Sequence, residues 1–315
     1  MLIQRSGFQS CAELMQEFSG KNGGRSARRL VFEGVGDRDV YNITAPFKDG
    51  RDVILAGRVE GRETERSNVL FFRRQDDVWT PHPDYPVYEL QDPFYTRING
   101  ELIFGGVAVI ADPLEPERIV SWETRFYRGS DVRSLRPFLT GPARMKDVRL
   151  IELASGEIGV FSRPGGLLGG GPGSVIGFAK AGSLEEVTTE LIADAQPFYE
   201  QFSPLEWGGA NEAHLLSNGW VGVLGHVAEF DGGDRRYRAM TFAVDPASGE
   251  ATRMKIIATR GSFPPGETKR PDLQDVVFSG GLVRKAGGFA DLYVGASDAE
   301  AYRIEIEDPF LEYEL

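Results

Sequence analysis

The chain has 315 residues, and its 35 Lys and Arg against 47 Asp and Glu give a formal net charge of −12. Such a balance excludes a generic nucleic-acid partner, because phosphate backbones are held by a basic footprint. A hydrophobic share of 41% with 26% charged residues is that of an ordinary globular protein with material for a sizeable core. No apolar run approaches the roughly 18 to 20 residues of a membrane helix, so no membrane partner is expected. The start lacks a basic segment followed by an apolar core, so the expectation is no signal peptide and a cytoplasmic location. Cys11 is the only cysteine, which excludes an intrachain disulfide and a Cys-rich zinc site. Glycine is the unusual count, 39 residues or roughly 12%, and implies many tight turns.

In chain order, Ser10-Cys11-Ala12-Glu13 has the form of a capping box. Cys11, Leu14, Met15 and Phe18 then follow at i, i+3, i+4 and i+7, predicting a short amphipathic helix. A second helix over Ser183–Ala195 is weakened by Val187, Thr188 and Thr189. Elsewhere short runs rich in Val, Ile, Phe and Tyr stand between turn residues, predicting strands at Asp52–Val59, Asn68–Arg73, Glu101–Val107, Ile119–Tyr127, Val148–Leu153 and Glu157–Ser162. The series continues with Trp220–Phe230, Tyr237–Val244, Gly281–Arg284, Asp291–Gly295 and Tyr302–Ile306. The chain is all-β.

Polar residues cluster where strands are expected to begin, at Asn42, Asp92, Lys146-Asp147, Trp207 to Glu212 and Asp275, at intervals of 50, 54, 61 and 68 residues. One propeller blade of four short strands needs about 40 to 50 residues. Five such units fill residues 1–315 as one domain, predicting a five-bladed β-propeller with a short N-terminal helix. Arg28–Gly34 would complete the last blade beside the C-terminal segment. In a propeller, polar residues far apart in sequence converge on one axial funnel.

Each motif taken singly has a bland explanation. Asp92-Pro93 suits a turn. Arg58 and Glu60 share one strand face and suit a structural ion pair. Met145-Lys146-Asp147-Val148-Arg149 suits a solvated strand end, and His226 a satisfied core histidine. Trp207 fits a core or a sugar-stacking position equally, and Asp272 with Asp275 suits a turn entering a strand. The glycine-rich stretch after Arg163, with Gly169-Gly170-Gly171-Pro172-Gly173, lacks the Lys-Ser/Thr of a P-loop and reads as a mobile loop between strands. No His, Asp and Glu spacing suggests a metal, and no nucleophile elbow stands out.

Read in order, the motifs resemble a known family. The runs Tyr41-Asn42-Ile43-Thr44-Ala45-Pro46-Phe47, Leu90-Gln91-Asp92-Pro93-Phe94 and Met145-Lys146-Asp147-Val148-Arg149-Leu150 carry the likeness. So do Glu206-Trp207-Gly208-Gly209-Ala210-Asn211-Glu212, Val223-Leu224-Gly225-His226 and the closing Val276-Val277-Phe278-Ser279-Gly280-Gly281 and Ser297-Asp298. They are similar to the mannosyltransferase/phosphorylase family of Leishmania and bacteria, related to the mannoside phosphorylases of the five-bladed propeller superfamily. The resemblance covers nearly the whole chain from about residue 40. It implies inverting transfer of mannose between β-1,2-mannosides and phosphate, or from GDP-mannose, with phosphate, mannose 1-phosphate and β-mannoside oligosaccharides as partners and no cofactor or metal.

It also implies roles. Asp92 would be the single catalytic acid, since phosphate is already a nucleophilic anion and dispenses with the base that water requires. Arg58, Lys146, Arg163 and His226 would form a phosphate pocket, with Arg149 and Arg284 as further cations. Asn42, Glu60, Asp147, Asn211 and Asp275 would hold mannose hydroxyls, and Trp207 would stack on a sugar face. One departure is Phe94, where the broader phosphorylase motif has Arg after Asp-Pro. The alternatives are an inverting hydrolase with Glu206, Glu212 or Asp275 as base, and a non-catalytic carbohydrate-binding propeller.

Overall fold

The computed structural model describes residues 9–18, 27–115, 118–165, 171–198 and 200–315. Helix α1 (Cys11–Glu17) starts at Ser10, whose hydroxyl accepts from the Glu13 amide at 3.3 Å while the Glu13 carboxylate accepts from the Ser10 amide at 2.8 Å. Cys11 and Leu14 face inward, giving the helix its anchor on the sheets. In place of the weak second helix stands a 3-10 turn over Leu184–Glu186 and a one-turn helix α2 (Thr189–Ala193), started by the Thr188 hydroxyl under the Leu191 amide at 3.2 Å. β-branching disfavours a longer helix, and the hydroxyl stabilises its first turn.

Apart from short 3-10 turns at Val132–Ser134, Arg260–Ser262, Pro271–Leu273 and Leu311–Tyr313, the other regular structure among the described residues is strand. Strands β1 (Arg28–Arg29) and β2 (Val31–Phe32) are short; β3 (Asp39–Tyr41), β4 (Phe47–Asp49), β5 (Asp52–Glu60), β6 (Ser67–Gln75) and β7 (Val78–Pro81) form a sheet with β2. Then come β8 (Gln91–Ile98), β9 (Glu101–Ala111), β10 (Ile119–Gly129) and β11 (Arg136–Thr140), an antiparallel meander. A third sheet holds β12 (Arg149–Glu152), β13 (Ile158–Ser162), β14 (Gly177–Ala181) and β15 (Gln196–Pro197). The remaining strands are β16 (Glu206–Leu215), β17 (Val221–Asp231), β18 (Asp234–Val244), β19 (Lys255–Ala258), β20 (Asp275–Lys285), β21 (Phe289–Ala296) and β22 (Glu300–Glu307). They form an eight-stranded sheet in which two antiparallel meanders, β16 to β19 and β20 to β22 with β1, meet through a two-residue parallel pairing of β18 with β20.

The segment expected to close the last unit splits between two sheets: β1 pairs with β22, and two residues later β2 pairs with β7. The chain start thereby joins the last sheet to the first. Core side chains sit between neighbouring sheets. Phe94 and Phe126 meet Leu150 and Val160; Phe161 and Phe178 meet Val223 and Phe242; Leu224 and Ala243 meet Val277 and Leu292.

The strands β8 and β16 were not among the expected runs, because polar residues interrupt their alternation. Each carries a register shift, at Asp92-Pro93 and at Asn211, and β20 carries another at Gly280. A bulge re-aims a side chain without ending the strand, and the polar clusters at Asp92 and at Trp207 to Glu212 begin one residue inside the starts of β8 and β16, where strands were expected to begin. Gly280 fits nothing larger, since an added Cβ would lie 1.6 Å from the Ile43 carbonyl oxygen.

Candidate active site

Strand β5 packs against β8, β8 against β12, β12 against β16 and β16 against β20, and residues beside them line a cavity of about 410 Å³. Asn42, Arg58, Asp92, Lys146 and His226 line it. Four polar residues around it, Asn42, Asp92, Asp147 and Asp298, have φ of +44°, +49°, +60° and +51°. Asn and Asp enter this left-handed region more readily than other non-glycine residues, which lets each sheet turn a short polar side chain toward the axis.

The Asp92 carboxylate accepts from Asn42 Nδ2 at 2.7 Å and from the Arg58 guanidinium at 3.2 Å. Arg58 is itself clamped: it bonds Glu60 through two nitrogens at 2.7 and 3.0 Å, donates to Ser67 at 2.9 Å, and lies 5.0 Å from the centre of the Tyr41 ring. Burial would drive Arg58 toward neutrality, but Tyr41, Asp92, Glu60 and Asp298 together keep it firmly protonated. Burial likewise pushes Glu60 up, and Arg58, Lys269 and Ser67 outweigh it and hold the carboxyl low.

The geometry revises Glu60. Its oxygens are taken by Tyr41, Arg58, Ser67 and Lys269, so it positions Arg58 rather than meeting a ligand. Asp147, Arg163 and Asn211 also lie behind the cavity wall. Asp147 pairs with Arg163 at 2.5 Å, and both are almost fully buried. Burial pushes the Asp147 carboxyl up, yet Arg163 and the other nearby cations bring it to about 2. Arg163 also donates to Ser174 at 3.2 Å, so residues just past the glycine-rich stretch brace it. The rest of that stretch, residues 166–170, lies outside the described residues.

His226 is not a cation here. Burial depresses its ring to about 3 despite Asp147 nearby, so it is neutral at physiological pH. Arg149 is also a wall residue: it donates to the Asn211 carbonyl at 2.6 Å and stacks 4.0 Å over the Phe94 ring. Burial lowers it to about 10, against Asp147, Asp92 and Glu212. It remains protonated at neutral pH.

Trp207 and Asp275 do not reach the cavity. The Trp207 ring is 2% exposed, packed against Phe230 and Tyr237, with its N–H donating to the Tyr237 hydroxyl at 3.2 Å. An aromatic this deeply buried offers no face to a sugar. Asp275 pairs with Arg236 at 3.6 Å and is half exposed. Arg284 is tied to Glu314 and Asp308 near the chain's end.

Sequence reasoning missed Arg235, Arg270, Glu65 and Asp298 as lining residues. Lys269-Arg270 before Pro271 was an available signal. These cations reach across to the turn after β5, where Glu65 accepts from Arg270 at 2.6 Å and Lys269 at 3.2 Å. The cavity thus presents Arg58, Lys146, Arg235 and Arg270 against Glu65, Asp92 and Asp298, a local balance opposite in sign to the chain's. Burial raises the Asp298 carboxyl, with Arg58 opposing. Lys146 makes no ion pair among the described residues and is free to meet an anion.

Two other features lack this convergence. A larger groove of about 1330 Å³ beside α1 and the C-terminal segment is lined mainly by acidic and apolar residues. Cys11, Glu206 and Glu229 have ligand atoms within 4.8 Å of one another, but Glu206 accepts from the Cys11 and Ser203 amides and Glu229 from Arg238, leaving poor provision for an ion.

Sheets of antiparallel meander around a charged, water-accessible cavity define an all-β protein. MPT-4, a mannose phosphorylase from Leishmania mexicana solved with a phosphate ion, is 37% identical over 96% of each chain, with a TM-score of 0.86. MPT-1, a GDP-Man-dependent mannosyltransferase from the same organism, is 33% identical over 97% of this chain and 96% of its own, with a TM-score of 0.87. The chain belongs to one family with these proteins, described as "Protein of unknown function (DUF1861)", which matches residues 16–312. The β-1,2-mannobiose phosphorylase of Listeria innocua shares the fold at 15% identity, covering 89% of this chain and 93% of its own, with a TM-score of 0.59. No curated protein sequence matches significantly.

Proposed function

We propose that the protein is a five-bladed β-propeller enzyme that transfers mannose, with inversion, between β-1,2-mannosides and phosphate. Support for the blade count comes from dividing the eight-stranded sheet at its short parallel pairing, and from the hydrophobic clusters. Those clusters join each of the resulting five units to the next and, through Leu55 and Phe72 with Tyr293 and Ala301, the last to the first.

The observation that carries the function is the placement of Asp92, fixed by Asn42 and Arg58, in a cavity with an unpaired Lys146 and the flanking Arg235 and Arg270. In this reading Asp92 delivers a proton to the glycosidic oxygen, directly or through a sugar hydroxyl, as the bond to the anomeric carbon breaks. Phosphate, held by the cations, attacks that carbon from the opposite face and leaves as mannose 1-phosphate. Asn42 holds a mannose hydroxyl. No enzymic base is required, because the nucleophile arrives as an anion. Electrostatic pre-organisation around the phosphate offsets the repulsion expected from a protein of net charge −12.

Hydrolysis is the rival. Glu206 and Glu212 are occupied by backbone amides, and Asp275 lies with Arg236, so none of them serves as its base. Asp298 is the carboxylate that favours this rival: it lines the cavity and has no ion pair within 4.0 Å among the described residues. Incubating β-1,2-mannobiose with and without phosphate separates the two. Phosphorolysis requires phosphate and yields mannose 1-phosphate; equal release of free mannose without phosphate rejects it. Parallel incubations with GDP-mannose and with mannose 1-phosphate, each with a mannose acceptor, identify the donor. Binding of mannosides without turnover would leave a carbohydrate-binding propeller.

A further inference from the structure

The hydrogen bonds around His226 fix which of its nitrogens carries the proton. Asn211 Nδ2 lies 2.5 Å from the Ser279 carbonyl oxygen, an atom that can only accept, so the amide nitrogen must stand there. The Asn211 carbonyl oxygen therefore faces His226 Nδ1, at 2.9 Å. That oxygen also only accepts, so Nδ1 bears the hydrogen and the neutral ring carries its lone pair on Nε2. Asn211 is held for this task by the bulge in β16, and the ring is held between Tyr237 and Phe278, with centroids 5.2 and 5.4 Å away. Among the described residues Nε2 is buried without a hydrogen-bond partner, and the nearest Asp147 oxygen, 4.0 Å away, is another acceptor. His226 lines the cavity, and a buried acceptor in its wall calls for a donor.

We infer that His226 Nε2 accepts a hydrogen bond from a hydroxyl of the bound ligand, so that the site reads a proton on its substrate. Two hydroxyls have the right chemistry: the P–OH of monohydrogen phosphate and a hydroxyl of mannose. Sulfate, of the same shape but without a proton at neutral pH, cannot satisfy Nε2. The inference rests on the proposed mannoside and phosphate site. Its own content is the direction of one hydrogen bond, opposite to that of a cationic histidine.

Calorimetric titration of the whole protein with inorganic phosphate, sulfate, mannose and the monodeoxymannoses tests it. If the donor is P–OH, phosphate binds about tenfold or more tighter than sulfate, the scale set by one unmet buried acceptor. If the donor is a sugar hydroxyl, one deoxymannose shows that loss instead. His226→Gln, which can offer an oxygen near the Nε2 position, retains the discrimination; His226→Met abolishes it. Equal binding of phosphate and sulfate, together with deoxymannoses that all match mannose, overturns the inference even if neither variant folds. A wild type that binds neither phosphate nor mannose refutes the functional reading itself, and the inference falls with it.

Discussion

Replacing Asp147 by Asn tests how much of the site's frame depends on one buried charge. Asn tolerates the +60° φ at this position, so the backbone is spared and the charge alone is removed. The gap between the ordinary carboxyl value of 3.8 and about 2 is worth about 2 to 3 kcal/mol at ~1.4 kcal/mol per pH unit. Leaving Arg163 buried beside a neutral amide sets a similar or larger cost, about 3 to 5 kcal/mol. Urea unfolding at pH 7 should therefore show a loss of about 3 kcal/mol. Because the folded value is depressed, this stability is present above about pH 4 and is lost as pH falls through about 2. The difference between wild type and variant should be flat from pH 5 to 8 and shrink below about pH 4. A loss under about 1 kcal/mol at pH 7, or a difference unchanged at pH 2.5, would refute the assignment of this pair as a charge-dependent strut.

Asp92→Asn keeps its shape, tolerates the +49° φ and leaves buried Arg58 its two bonds to Glu60, so the protein should still fold, at a smaller cost than Asp147→Asn, while mannose 1-phosphate release falls about 10²- to 10⁴-fold; near-normal turnover would remove Asp92 as the acid. Lys146→Met should raise the phosphate KM about tenfold or more without costing stability, because no ion pair is broken; an unchanged KM places the anion elsewhere. Gly280→Ala would set its methyl against the Ile43 carbonyl and should destabilise by more than about 4 kcal/mol or prevent folding, read by soluble yield and melting. Gly233→Ala, with open space around it, is the control, and equal behaviour of the two would contradict the close contact at the axis.

The sequence exposes some layers of this site and hides others. Asn42, Arg58, Asp92, Lys146 and His226 were legible because each stands out as a polar residue beside an apolar strand run, and the structure brings them to one cavity. Glu60, Asp147, Arg163 and Asn211 carried the same signal, but a pattern of polar positions does not reveal which side chains spend their hydrogen bonds on other protein groups. Trp207 failed for a related reason: composition identifies an aromatic with polar neighbours, whereas the packing of Phe230 and Tyr237 decides that neither face is free. Arg270 was missed because its partner Glu65 is 205 residues away.

What the sequence determined by itself is local. The capping box started α1, β-branched and aromatic runs specified half of the strands, and the spacing of polar clusters indicated repeated units, since each depends on neighbours a few residues apart. The tertiary structure decided the rest. Bulges aimed Asp92 and Asn211 inward, and β1 and β2 joined the last sheet to the first. Four cations gathered around a cavity in a chain of net charge −12. Charge and hydrogen-bond direction at such a site depend on which groups meet across hundreds of residues, and only the packed sheets fix those meetings.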